Sequence, residues 1–242
     1  MTIRPHPVGE MYHFSSEHLI RSCPLPKSMF SHKSADNLTI KSSKFEPLSS
    51  LLKRNKKHLE YSIMEKMIES IGRQLHYLEM ENKGISSFNL DDITVFYTDT
   101  DTDTDTDTDA DPDADIHFAI TNEDKIHDID DEQQLVIATP YHKEYTATAT
   151  TTTKNIAFHS PEFKEFVDKK TIPYKLHFKS GYYSFGLLCL YCYVSRNAAT
   201  AAATATAAAL EQVIAPIVNT KIYWFFKWVL QEHPSERRYI CV

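Results

Sequence analysis

The sequence predicts an α+β domain, mainly α, with one small β-hairpin, and three observations predict it. Ile63, Met67, Ile71, Leu75 and Leu78 recur at three and four residues, the period of an amphipathic helix. A second stretch, Tyr182–Val194, is apolar nearly all round and reads as a central buried helix. Two short apolar runs, Ile93–Tyr97 and 116–120, on either side of a polar tract, read as strands.

The chain has 242 residues, enough for one core with surface insertions. Its net charge of -7 misleads, because nine aspartates, every second residue from Asp99 to Asp115, lie in one tract. Without those nine charges the balance is +2, so composition gives no case for a nucleic-acid partner. The four cysteines are scattered apart from Cys189-x-x-Cys192. Zinc would need two more ligands at similar spacing, and none stands out. That pair therefore reads as packing, and a reduced, intracellular protein of the cytoplasm is expected. The twelve histidines form no ligand-like grouping, so no metal is expected. The N-terminus has no apolar segment of signal-peptide type. Tyr182–Val194 falls short of the about 20 residues that cross a bilayer, so no membrane partner is expected.

Residues 1–56 show no sustained period and read as mostly irregular, with one short strand in 37–45. The domain proper is expected over 57–242, interrupted by low-complexity loops at 98–115, 145–153 and 196–209. Its long helix starts near His58 and stops at Asn82-Lys83-Gly84, with Gly84 suited to a left-handed cap. The six Thr-Asp pairs at 98–109 repel one another and offer nothing to bury, which predicts disorder. The Ala-rich run at 198–209 is compatible with helix. At 160–170, Ser160 can cap a short helix, Pro161 suits its first turn and Glu162 complements its dipole. A last helix is expected from Thr220 to Gln231, ending before Pro234. Trp224 and Trp228, one turn apart, read as core.

Three strings occur in order: His-Ser-Pro-Glu at 159–162, KSGYYSFGLLCLY at 179–191 and HPSERR at 233–238. Together they resemble landmarks of the protein-kinase C-terminal lobe, and more closely the divergent kinase-like proteins of large DNA viruses. The landmarks are the Ala-Pro-Glu that ends the activation segment, the Asp-x-Trp-Ser-x-Gly of the buried helix, and a late Pro-x-x-Arg. The resemblance covers roughly 60–242 and implies a kinase C-lobe-like fold. It makes Pro161, Ser184 and Gly186 fold-signature positions and Glu162 and Arg237 partners in a structural ion pair. Gly181 stands where the family has an Asp that bonds the catalytic-loop backbone.

The same resemblance exposes what is missing. QLHYLEMENKGI at 74–85 resembles the approach to the catalytic loop, but Asn89 falls where the catalytic Asp belongs. A neutral amide cannot take the role of that carboxylate. Asn122 falls nearest the metal-binding Asp, and Asp91, Asp92 and Glu123 are weak substitutes. Only five glycines exist and none builds a phosphate-cradling loop. Only about twenty residues separate Lys41 from the long helix, too few for a complete N-terminal lobe. The expectation is a degenerate kinase-like protein (a pseudokinase), without phosphotransfer or cofactor, that works by binding a protein partner. Two alternatives stand beside it: a divergent Ser/Thr kinase using ATP, Mg²⁺ and displaced acids, and an interaction protein that uses its Asp-rich tract.

Overall fold

The computed structural model describes residues 10–55, 58–98, 115–137, 157–169, 172–194 and 207–239. The Thr-Asp tract, the first Thr-Ala run and most of the second fall outside the described residues, as does Cys241. Within them the protein is mixed α/β, with more helix than strand and five small sheets.

Two helices organise the core. The long helix, Tyr61–Met80 (α3 in chain order), buries Met64, Met67, Ile68, Ile71, Leu75 and Leu78, the expected stripe apart from Ile63, which is half-buried. It stops as Asn82 takes the left-handed conformation at φ 54°. That corrects the expectation for Gly84, which instead lies in a strand, β5 (Lys83–Ile85). A Cβ there would come 2.7 Å from a Leu135 methyl, so its small size serves packing. Helix α5, Ser180–Tyr193, is buried from Ser180 through Cys192, which explains the lack of a polar face in its sequence. Cys189 and Cys192 are fully buried within it, and burial raises both thiol pKa values. They behave as packing residues.

The expected hairpin is β7 (Ile93–Thr98) and β8 (Asp115–Ile120), antiparallel with Ile93 opposite Ile120 and Thr98 opposite Asp115. Gln74, wholly buried on α3, accepts from the Ile120 N–H at 2.7 Å and donates to its carbonyl at 3.1 Å. This side chain closes the hairpin edge against the helix.

Residues 10–55 are not irregular. β1 (Glu10–Phe14), β2 (Phe30–Lys33) and β3 (Leu38–Ser42) form a sheet of order β1-β3-β2. β4 (Lys44–Pro47) joins β7, so the hairpin supplies two strands of a three-stranded sheet with β7 in the middle. Helices α1 (Glu17–Ser22) and α2 (Leu48–Arg54) bury Leu19, Ile20, Leu48, Leu51 and Leu52 in the same core as α3 and α5. Tyr12 meets Phe45 and Phe96 edge to face at 5.0 and 5.3 Å. Such strands of four or five residues are set by what they pack against rather than by local pattern.

Three further two-stranded pairs escaped the sequence reading. β5 pairs with β9 (Ile126–Asp128), β10 (Gln134–Ile137) with β12 (Tyr174–His177), and β6 (Phe88–Asn89) with β11 (Ala157–Phe158). Helix α4 (Pro161–Lys169) starts as expected, with Phe163 N–H donating to Ser160 Oγ at 3.2 Å. Phe163 and Phe166 pack with Leu135, Ile137 and Leu176 in a separate small cluster. Helix α6 (Ala207–Ile214) takes up the end of the Ala-rich run. Helix α7 (Lys221–Val229) is capped by Thr220, whose hydroxyl accepts from Tyr223 N–H at 3.2 Å. Trp224 is not core: it is 53% exposed. Trp228 is half-buried beside the Arg238 guanidinium, 5.4 Å from its ring centre.

Candidate functional site

The four residues Glu162, Ser184, Gly186 and Arg237 lie at points where separate segments are tied together. Arg237 is 0% exposed, and a buried guanidinium needs every N–H paired. Its Nη1 and Nη2 clasp the Glu162 carboxylate in a fork, the second contact at 3.0 Å. Nε donates to the Gln231 carbonyl at 2.8 Å, Nη2 to that of Glu232 at 2.9 Å, and Nη1 more loosely to that of Lys179 at 3.4 Å. The Tyr183 ring lies 4.7 Å away. One side chain thus joins α4, the start of α5 and the segment after α7.

Ser184 does the same for the loop beneath α5. Its hydroxyl accepts from Phe88 N–H at 2.7 Å and donates to the Phe158 carbonyl, fastening both strands of the β6–β11 pair. Gly181 and Gly186 allow close approach. A Cβ on Gly181 would sit 2.4 Å from the Ile85 carbonyl oxygen, and one on Gly186 2.6 Å from a Val229 methyl. No side chain fits at 181 beside that backbone. The Asp that the kinase resemblance places there is therefore excluded by the close approach, and Ser184 supplies a hydrogen bond to the loop instead.

The loop itself centres on Asp92, 4% exposed. Asn89 N–H donates to Asp92 Oδ2 at 2.5 Å, Lys125 Nζ reaches the same oxygen at 2.5 Å, and Asn122 Nδ2 donates to Oδ1 at 2.8 Å. With the Asn89 amide oriented by its neighbours, its Oδ1 accepts from Lys125 Nζ at 3.1 Å and its Nδ2 donates to the Phe88 carbonyl at 3.2 Å. The two asparagines singled out in the sequence thus meet around one carboxylate. Lys125 was not singled out. Its signal was only its place three residues after Asn122, and no spacing rule points to it. Burial lowers its pKa, while Asp92 and then Asp124 oppose that shift.

Asp91 points elsewhere and accepts from Ser49 Oγ of α2. Glu123 and Asp124 are exposed. Lys41 lies exposed on β3 and does not join the Asp92 network. His159, beside the site, lies tilted against the Phe163 ring at 4.7 Å, and its pKa is lowered to about 4 by burial and by nearby Lys125 and Lys164. Among the described residues no group of three or more His, Cys, Asp or Glu could hold a metal ion. Among the same residues no helix is long and apolar enough to cross a membrane.

No protein-family model matches the chain, and no curated protein sequence matches it significantly. The geometry therefore carries the functional reading.

Proposed function

We propose that the chain is a degenerate kinase-like protein that transfers no phosphate and serves, inside a cell, as a binding or regulatory module for a protein partner. One observation carries this reading. Asn89 and Asn122, the positions that the kinase resemblance assigns to catalysis and metal binding, are spent on a buried Asp92–Lys125 network. A general base needs a carboxylate within reach of the substrate proton, and Asp92 is enclosed by three donors. Asp91 is engaged by Ser49. Glu123 stays exposed, but a lone displaced acid is a weak magnesium site. The Glu162–Arg237 fork and the Ser184 tie support a retained scaffold.

The experiment is thermal unfolding with and without millimolar ATP and Mg²⁺, paired with a phosphotransfer assay on generic protein substrates. The expected result is no nucleotide-dependent stabilisation and no transfer. Stabilisation together with transfer that Asp91→Asn, Asp92→Asn or Glu123→Gln abolishes would overturn the proposal in favour of a divergent active kinase. The Asp-rich tract, the basis of the other alternative, lies outside the described residues.

A further inference from the structure

We infer that the groove between α3, α5 and α7 is a binding site for a phenol ring, which the chain's own Tyr239 fills as a C-terminal latch. Tyr239 lies two residues beyond Arg237, after the turn Pro234–Glu236. Its ring rests against α3 at Gly72, where an added Cβ would come 2.2 Å from Cε1, 2.7 Å from Cζ and 2.9 Å from the hydroxyl oxygen. Its hydroxyl donates to the Ile68 carbonyl, one turn earlier on α3, at 2.6 Å. A helix carbonyl has a second lone pair for such a donor. Three more rings form the walls. Tyr182 and Phe225 meet the phenol edge to face at 5.5 and 5.4 Å, and Phe185 lies nearly parallel at 6.2 Å. These separations fall within the about 4.5–7 Å of favourable aromatic pairs. Tyr182 is itself held, its hydroxyl donating to Glu79 of α3.

Aromatic walls with one fixed acceptor select a ring that carries a hydroxyl. Glycine within a helix lowers its stability relative to alanine, and at position 72 it provides the seat for this ring. The atoms that a methyl there would strike are the far end of a flexible side chain, so it would expel the ring and leave the helix intact. Arg237 is wholly buried whereas Tyr239 is half-buried, so the tail reaches the surface at the phenol. Between them Arg238 is exposed, and its N–H donates to the Trp228 carbonyl at 3.2 Å. Past the fork, the chain is thus fastened to α7 by that backbone bond and to α3 by the phenol. Chain ends are ordered where something ties them down, and Tyr239 is that tie.

The test compares wild type, Tyr239→Ala, Gly72→Ala and the double variant Gly72→Ala/Tyr239→Ala in the full chain. Urea unfolding is measured with p-cresol, which reproduces the tyrosine side chain, and with toluene, which lacks the hydroxyl. p-Cresol should stabilise Tyr239→Ala; at ten times its dissociation constant the folded-to-unfolded ratio rises about elevenfold. Toluene should bind more weakly. Wild type, whose groove is filled, and the double variant, whose seat is blocked, should show no such gain. Hydrogen exchange reads the latch separately. The Arg238 amide should lose protection in both Tyr239→Ala and Gly72→Ala, and p-cresol should not restore it, because the free ring is not joined to the tail. The proposal fails if p-cresol leaves Tyr239→Ala unchanged, stabilises all four proteins equally or is matched by toluene. It fails equally if Arg238 stays protected in either single variant or regains protection with p-cresol. Should Tyr239→Ala not fold alone, its refolding yield is compared with and without p-cresol; recovery supports the site and no recovery overturns it. Stabilisation of wild type by ATP would count against the proposed function and leave this inference intact.

Discussion

Replacing Glu162 with alanine leaves a fully buried guanidinium facing nothing on two of its five N–H groups. The other three still reach the carbonyls of Gln231, Glu232 and Lys179. Breaking one side of a buried charge pair costs about 3–5 kcal/mol. The Glu162 side chain is 18% exposed, so water reaches the vacancy and the lower end, about 3 kcal/mol, is expected. For a chain of this length each kcal/mol moves the melting temperature by about 2–4 °C, which gives a fall of roughly 6–12 °C. Urea unfolding should show a lower midpoint with an unchanged slope. Glu162→Ala/Arg237→Met should recover part of the loss, because the orphaned charge is then gone. If Glu162→Ala and Arg237→Ala each change stability by less than about 1 kcal/mol, the fork does not hold this lobe together, and the strongest structural support for a kinase-like scaffold is lost.

The two glycines of α5 should differ. Gly181→Ala forces a methyl against the Ile85 backbone, which cannot turn aside, whereas Gly186→Ala meets the ends of Val229 and Leu230. Overpacking against movable side chains costs about 1–3 kcal/mol; Gly181→Ala should exceed this in the same unfolding assay, and equal losses would contradict the close approach. Acidification should destabilise the protein early. Burial lowers the pKa of His117, His127 and His159 in the fold, so the unfolded chain takes up protons first as pH falls below the ordinary histidine value of about 6.5. The loss should continue down to about 4 for His159, where it approaches 3 kcal/mol. His159→Gln should flatten the fall in urea midpoint between neutral pH and pH 5; an unchanged slope would refute this origin.

Helices that bury a continuous stripe or their whole surface were legible in the sequence. The α3 stripe, the apolar α5, the Ser160 cap and the individual strands β7 and β8 each come from a pattern within one window. What was not legible depends on partners far along the chain. β6 and β11 are two residues each, and their pairing is fastened by Ser184, far along the chain. β4 was hidden because its value lies in covering β7 rather than in its own alternation. Trp224 illustrates the converse: its aromatic neighbours are buried, and its own phase on α7 turns it outward. At the candidate site the two asparagines could be found by comparison with a motif. Lys125 could not, because a buried lysine announces itself only through the carboxylate it faces.

The fork also orders events in time. Glu162 precedes Arg237 by 75 residues, so during synthesis the carboxylate and the whole of α5 emerge before their cation exists. Until Arg237 leaves the ribosome, the Glu162 carboxylate lacks its buried cation. Release of a nascent chain arrested before Arg237 would yield a species in which α4 keeps its packing of Phe163 and Phe166 on Leu135, Ile137 and Leu176 but lacks the fork. Any premature stop before codon 237 would make that species permanent.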